Sequence, residues 1–152
     1  MPPHNNSFKL RIAHLNINSL RNKVEHLEIF LSHNDIDIAF ISETKTQCTI
    51  PDELLRISGY KIHRKDRPNS VGSGGGLIAY CRDYLFITLD NTPVIEECEM
   101  LVLKANINGE KYVFKHRYRP PKLNVNRFLT SLEHNLLTNS ARENSIILVI
   151  QV

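Results

Sequence analysis

Between Lys9 and Asn16 the side chains alternate in placement, with Leu10, Ile12 and His14 on one side and Ala13 and Leu15 on the other. A period of two predicts a strand. Asn18 or Ser19 then offers a helix N-cap. Leu20, Val24, Leu27 and Leu31 follow at i, i+4, i+7 and i+11, which gathers them on one helix face, and Asn34 supplies a stop. Ile36 to Ser42 is nearly all apolar, as suits a strand buried on both faces. Strand, helix and strand over residues 9–42 make a βαβ unit, with parallel strands and a right-handed crossover.

Farther on, Pro51 to Leu55 reads as a short helix with proline in its first turn, and Tyr60 to Arg64 as a strand. Residues 65–75 are polar and run into Gly72, Gly74, Gly75 and Gly76, which predicts a loop. Gly76 to Arg82 and Leu85 to Leu89 are strand candidates. Met100 to Ile107 and Lys111 to Tyr118 flank Asn108-Gly109, the strongest short hairpin signal. Asn124 or Asn126 can cap a helix bearing Phe128, Leu129, Leu132 and Leu136, and Ser145 to Ile150 is another buried-type strand. One βαβ unit, an antiparallel stretch, a helix and a final strand predict an α/β sandwich with mixed sheets. Residues 1–7 read as a disordered N-terminus and 8–152 as one domain, without repeats or linkers.

Composition narrows the class only a little. The chain has 152 residues, 41% hydrophobic and 23% charged, which excludes disordered and fibrous proteins. No apolar run is long enough to span a membrane, and no basic-then-apolar start suggests a secretory signal. Asn5-Asn6-Ser7 fits a glycosylation sequon, without a signal to give it meaning. Net charge is +3, compatible with nucleic acid but not diagnostic. Cys48, Cys81 and Cys98 form no CxxC pair, so they read as buried thiols in a reducing compartment.

Candidate chemistry gathers at strand ends. Asn16 ends the first strand and Glu43 follows the second, and the right-handed crossover puts both at one sheet edge. An amide and a carboxylate would share that crevice, suited to part of a Mg²⁺ site, since Mg²⁺ takes few carboxylates and keeps water and phosphate ligands. The alternatives are a solvated acid and a turn residue. Tyr118 ends the second hairpin strand before Pro120-Pro121; its phenol could hold a phosphate oxygen and Arg119 could pair with phosphate, or both could be packing residues. The glycine run lacks the Gly-Lys-Ser/Thr of a P-loop and leads into a strand, which leaves a flexible loop or close backbone packing. Basic residues cluster at 61–67 and 111–122, either as phosphate contacts or as solvated faces. The histidines show no metal-ligand spacing.

Six stretches in order resemble the endonuclease/exonuclease/phosphatase family, and within it the endonuclease domains of non-LTR retrotransposons of the jockey and chicken-repeat-1 type. They are residues 12–23 (Ile-Ala-His-Leu-Asn-Ile-Asn-Ser-Leu-Arg-Asn-Lys), 38–44 (Ile-Ala-Phe-Ile-Ser-Glu-Thr), Gly59-Tyr60, 74–80 (Gly-Gly-Gly-Leu-Ile-Ala-Tyr), Tyr118-Arg119-Pro120-Pro121 and 145–150 (Ser-Ile-Ile-Leu-Val-Ile). The resemblance implies a partial four-layer α/β sandwich, two mixed β-sheets flanked by helices, with its C-terminal part missing. It implies Mg²⁺-dependent (or Mn²⁺-dependent) hydrolysis of phosphodiester bonds, with Glu43 similar to the metal-binding glutamate, Asn16 to its supporting asparagine, Tyr118 to the tyrosine at the scissile phosphate and Arg119 to a phosphate contact. DNA is the implied substrate, a linked reverse transcriptase the implied partner, the nucleus the implied place of action, and no membrane is involved. The family follows the strand matching 145–150 with Gly-Asp-Phe-Asn and later Ser-Asp-His; here it runs Ile150-Gln151-Val152. The 152 residues by themselves are therefore expected to be a truncated, inactive and poorly stable fragment. A non-catalytic relic that binds nucleic acid, and a phosphatase or phosphodiesterase of the same superfamily, are the alternatives.

Overall fold

The computed structural model describes residues 8–68, 74–91, 99–137 and 143–151. The sequon, the N-terminal segment 1–7, Gly72 and Cys98 lie outside them. Two four-stranded sheets face each other. Sheet A contains β1 (Ile12–Asn16), β2 (Ile38–Ser42), β3 (Tyr60–Lys65) and β4 (Leu77–Arg82), in the order β1-β2-β4-β3. Sheet B contains β5 (Phe86–Leu89), β6 (Glu99–Ile107), β7 (Glu110–Arg119) and β8 (Asn144–Gln151), in that order. Each sheet has one parallel pair, β1 with β2 and β7 with β8, and is antiparallel elsewhere. Both are mixed sheets, as the sequence predicts.

The βαβ unit closes through α1 (Val24–His33), and Asn34 caps it by donating its backbone N–H to the Phe30 carbonyl at 3.2 Å. The expected start after Asn18 or Ser19 is corrected: the helix begins at Val24, preceded by Lys23. Asn18 and Ser19 sit at φ +45° and +81°. Their segment is drawn sideways because Ser19 N–H donates to the Glu43 carbonyl at 2.8 Å and Leu20 N–H to that of Thr44 at 2.9 Å. Those tertiary bonds hold Asn18 and Ser19 in left-handed backbone, which neither a right-handed helical turn nor an ordinary N-cap adopts. Leu20 still packs in the core that the helical spacing assigned it.

The remaining elements follow the sequence pattern closely. A 3₁₀ turn occupies Asp52–Leu55. Asn108 and Gly109 take φ +52° and +82°, so both turn residues are left-handed and Ile107 pairs directly with Glu110. In α2 (Val125–Leu137), Asn124 Oδ1 accepts the Asn126 N–H at 2.9 Å and the Arg127 N–H at 3.3 Å, which makes Asn124 the cap.

Alternation along the strands builds two cores. Ile38, Phe40, Leu77, Ala79, Leu101, Leu103 and Phe114 meet between the sheets. Ala39, Ile41, Ile78 and Tyr80, one residue out of step, meet Leu27 and Leu31 of α1. A side chain's parity within its strand thus decides which layer it joins.

Candidate active site

Asn16 and Ser42 are the last residues of β1 and β2 and stand in register. The chain then leaves both strands on the same edge. Glu43 follows immediately and is held at φ +52°, a left-handed conformation that glutamate rarely adopts. Its segment is gripped from two sides. Ser19 and Leu20 bond to it as described above. On the other flank Thr44 N–H donates to the Gly76 carbonyl at 3.2 Å and Lys45 N–H to the Gly75 carbonyl at 2.8 Å. A Cβ on Gly76, itself at φ +88°, would lie 2.5 Å from Thr44 Oγ1. Of the two readings of the glycine run, close backbone packing is therefore the one realised at Gly75 and Gly76.

Sheet B contributes Tyr118, 3% exposed. Its hydroxyl donates to Glu43 Oε1 at 2.8 Å, bridging 75 residues of sequence and the two sheets. Burial first, and then the bond to Glu43, push the Tyr118 phenol up to about 12. A neutral phenol therefore faces the carboxylate throughout the physiological range. Across the hairpin Tyr118 is paired with Glu99. Glu99 Oε2 accepts the Gly76 N–H at 2.7 Å, and Oε1 pairs with Arg67 Nε. The site thus contains a second carboxylate, already matched to a cation.

No family model matches the chain, and no curated protein matches it. Solved structures do. The endonuclease domain of TRAS1, a telomere-specific non-LTR retrotransposon, superposes with TM-score 0.65 at 13% identity, over 91% of this chain and 58% of that one. An AP endonuclease from Archaeoglobus fulgidus gives TM-score 0.62 at 23% identity, over 93% and 56%. The mannosyl-6-phosphatase Bt3783 of Bacteroides thetaiotaomicron gives 0.57 at 14% identity, over 91% and 64%. This is the endonuclease/exonuclease/phosphatase fold. The chain spans less than two thirds of the length of each of these structures.

Within this fold the four residues singled out by sequence divide into three and one. Asn16, Glu43 and Tyr118 converge on one end of the sandwich: Asn16 in register one residue before Glu43, and Tyr118 bonded to it. Asn16 Oδ1 also accepts the Asn18 N–H at 3.2 Å, which orients its amide. Arg119 is not brought to them. One step along β7 from Tyr118, it lies on the opposite face, 7% exposed, with Nη1 donating to the Leu123 carbonyl at 2.6 Å. The geometry gives its phosphate role no support. Its neighbours share that setting. Lys115 is buried, and Arg117 is fully buried, bonded to Ser131 Oγ at 2.8 Å and set over the Phe128 ring of α2. The reading of residues 111–122 as an exposed basic face is corrected at these positions, because α2 covers this face of sheet B.

Two members of the site were missed by sequence reasoning. Arg67 was counted only as part of a basic cluster, and Glu99 was not noticed. Counting back from the two-residue Asn108-Gly109 turn pairs Glu99 with Tyr118, so that neighbour was legible. No sequence signal brings Arg67 to it.

The donor set fits a hard divalent cation in part. Among the described residues no three His, Cys, Asp or Glu side chains form a metal cage. Glu43 is half-buried, and Tyr118 occupies one of its oxygens. One carboxylate with a neighbouring amide suits an ion that keeps most of its water and takes phosphate oxygens as further ligands.

Proposed function

We propose that this chain carries part of a metal-dependent phosphodiesterase site acting on DNA, as in the endonuclease domains of non-LTR retrotransposons. The observation that carries this reading is the Tyr118–Glu43 hydrogen bond, which joins the ends of the two sheets where Asn16 also ends. Glu43 would hold the cation, Mg²⁺ or Mn²⁺, through the oxygen Tyr118 leaves open. A bound cation supplies charge neutralisation at phosphorus and a more acidic water. Asn16 would steady the carboxylate's surroundings, and Tyr118, a neutral donor with a single O–H, would hold Glu43 in place before substrate binds and turn that O–H to a phosphate oxygen when it does. The 152 residues on their own are proposed to lack activity, because Glu43, the one basic group among Asn16, Glu43 and Tyr118, is committed to the cation, which leaves no base for a nucleophilic water. A linked reverse transcriptase and action in the nucleus belong to the same proposal.

The test is plasmid nicking by a full-length domain containing these residues. Glu43→Gln, which removes one charge at constant shape, is expected to lower nicking about 100-fold or more while leaving DNA affinity nearly unchanged. Full nicking by this variant would refute the metal assignment. Nicking absent from the parent domain but DNA binding present would favour a non-catalytic binding module. Release of phosphate from sugar phosphates instead would favour the chemistry named for the mannosyl-6-phosphatase neighbour.

A further inference from the structure

One layer beneath the site, between the two sheets, two histidines meet. His14 precedes Asn16 by two residues on β1, and His116 precedes Tyr118 by two on β7, so each shares a sheet face with the site residue above it. Their Nε2 atoms are 3.1 Å apart, with ring centroids at 4.8 Å and planes at 88°. The Phe40 ring packs against His116 at 5.3 Å between centroids. The register neighbours are Phe40 on β2, Leu101 on β6 and Leu148 on β8, none of them charged. Neither histidine belongs to the candidate site, and the pair is a polar contact between the facing strands β1 and β7 amid apolar neighbours.

The chemistry of the pair selects a tautomer. At 3.1 Å one Nε2 must donate and the other accept. His116 is 0% exposed, and its Nδ1 has no hydrogen-bond partner among the described residues. A buried unpaired N–H is rarer and costlier than an under-used acceptor. The proton of His116 therefore belongs on Nε2, directed at His14. His14 is half-buried and its Nδ1 is not among the buried unpartnered atoms, so it can keep its own proton there.

We propose that His14 and His116 form a positioning dyad, in which His116 Nε2–H donates to His14 Nε2 and ties the two sheets together so that Tyr118 meets Glu43. The dyad itself is independent of the proposed function; its effect on turnover rests on that reading. A ring that slips changes the distance between β1 and β7 one layer below the Tyr118–Glu43 bond, and packed interiors pass such shifts on. Burial, and for His116 the neighbouring His14, keep both rings neutral at physiological pH, which preserves the donor and the acceptor.

The direct test is ring-nitrogen NMR on the ¹⁵N-histidine-labelled chain in metal-free buffer near pH 7.5. A His116 Nε2–H proton coupled to both Nε2 nitrogens is expected. A His116 Nδ1–H tautomer or absent coupling overturns the dyad, and so does displacement of both ring signals by added Zn²⁺, which would make the pair a metal site. The positioning role is read from the nuclear Overhauser contact between the Tyr118 ring and the Glu43 side chain. His14→Gln keeps an acceptor for His116 and should retain that contact; His14→Leu should lose most of it. Equal contacts in the two variants would overturn the positioning role. In a nicking full-length domain, His14→Leu should lower kcat about tenfold at unchanged KM, with His14→Gln restoring it. If the dyad is seen by NMR while Glu43→Gln nicks normally, the functional reading fails and the dyad stands.

Discussion

Replacing Tyr118 by Phe isolates the contact on which the site reading depends. The ring stays and no cavity forms, so the change is the loss of one hydroxyl and its bond to Glu43 Oε1 at 2.8 Å. A hydrogen bond to a charged group contributes about 1.5–3 kcal/mol net. Two features pull toward the low end. Glu43 is only half-buried, so water can replace the lost donor, and phenylalanine is better suited than tyrosine to a position 3% exposed. The expected cost is about 1–2 kcal/mol, or roughly 3–6 °C in Tm for a chain of this size. Urea unfolding followed by circular dichroism measures it, with the midpoint falling and the slope unchanged. A cycle with Glu43→Ala separates this bond from general damage, because that variant strands the buried phenol. A coupling energy of about 1 kcal/mol is expected. If the double variant equals the sum of the singles within about 0.5 kcal/mol, the two side chains do not hold each other and the reasoning is refuted.

Three further outcomes follow from other parts of the molecule. Burial lowers the folded-state value of His14 and carries that of His116 down to about 3, against 6.5 for an ordinary histidine. Their neutral, buried state therefore contributes fully above pH 6.5, and that contribution is lost as the pH falls below it toward the folded values. The urea midpoint should drop between pH 7.5 and 5, less so in a His14→Gln/His116→Leu variant; equal pH slopes would contradict this. Gly76→Ala puts a methyl 2.5 Å from Thr44 Oγ1 at φ +88° and should cost about 2–3 kcal/mol, whereas Gly109→Ala, with open space around it, should cost less by the same denaturation assay. Cys48, expected to be buried, is instead exposed and should be alkylated by iodoacetamide at pH 8, while Cys81, buried as expected with its thiol pushed up to about 12, should stay unmodified in the folded chain by peptide mass spectrometry.

Periodicity reveals what packing later uses. The alternation in β1, the apolar run of β2 and the Asn-Gly turn each report a local requirement, since a strand's two faces and a hairpin's left-handed residues constrain residue types one by one. Asn16 and Glu43 were legible for the same reason: a parallel βαβ unit places its two strand ends on one edge. The mistaken helix start at Asn18 or Ser19 was invisible locally, because the amides there are claimed by carbonyls of Glu43 and Thr44, far along the chain. The position of Arg119, away from the other three, was hidden for a related reason. Adjacent strand residues point to opposite faces, and its neighbour Tyr118 already takes the face toward Glu43.

The sequence by itself determined the elements, their hairpin and crossover connections, and the end of the sandwich at which polar groups gather. These are set by local sterics and by burial patterns that repeat every two or four residues. Only the tertiary structure decided that Tyr118 reaches Glu43, that Arg67 and Glu99 pair beside them, and that His14 meets His116 beneath. Those contacts join residues on or just beyond strands of different sheets, and the stacking of two sheets is set by the fit of whole faces, which no local pattern specifies.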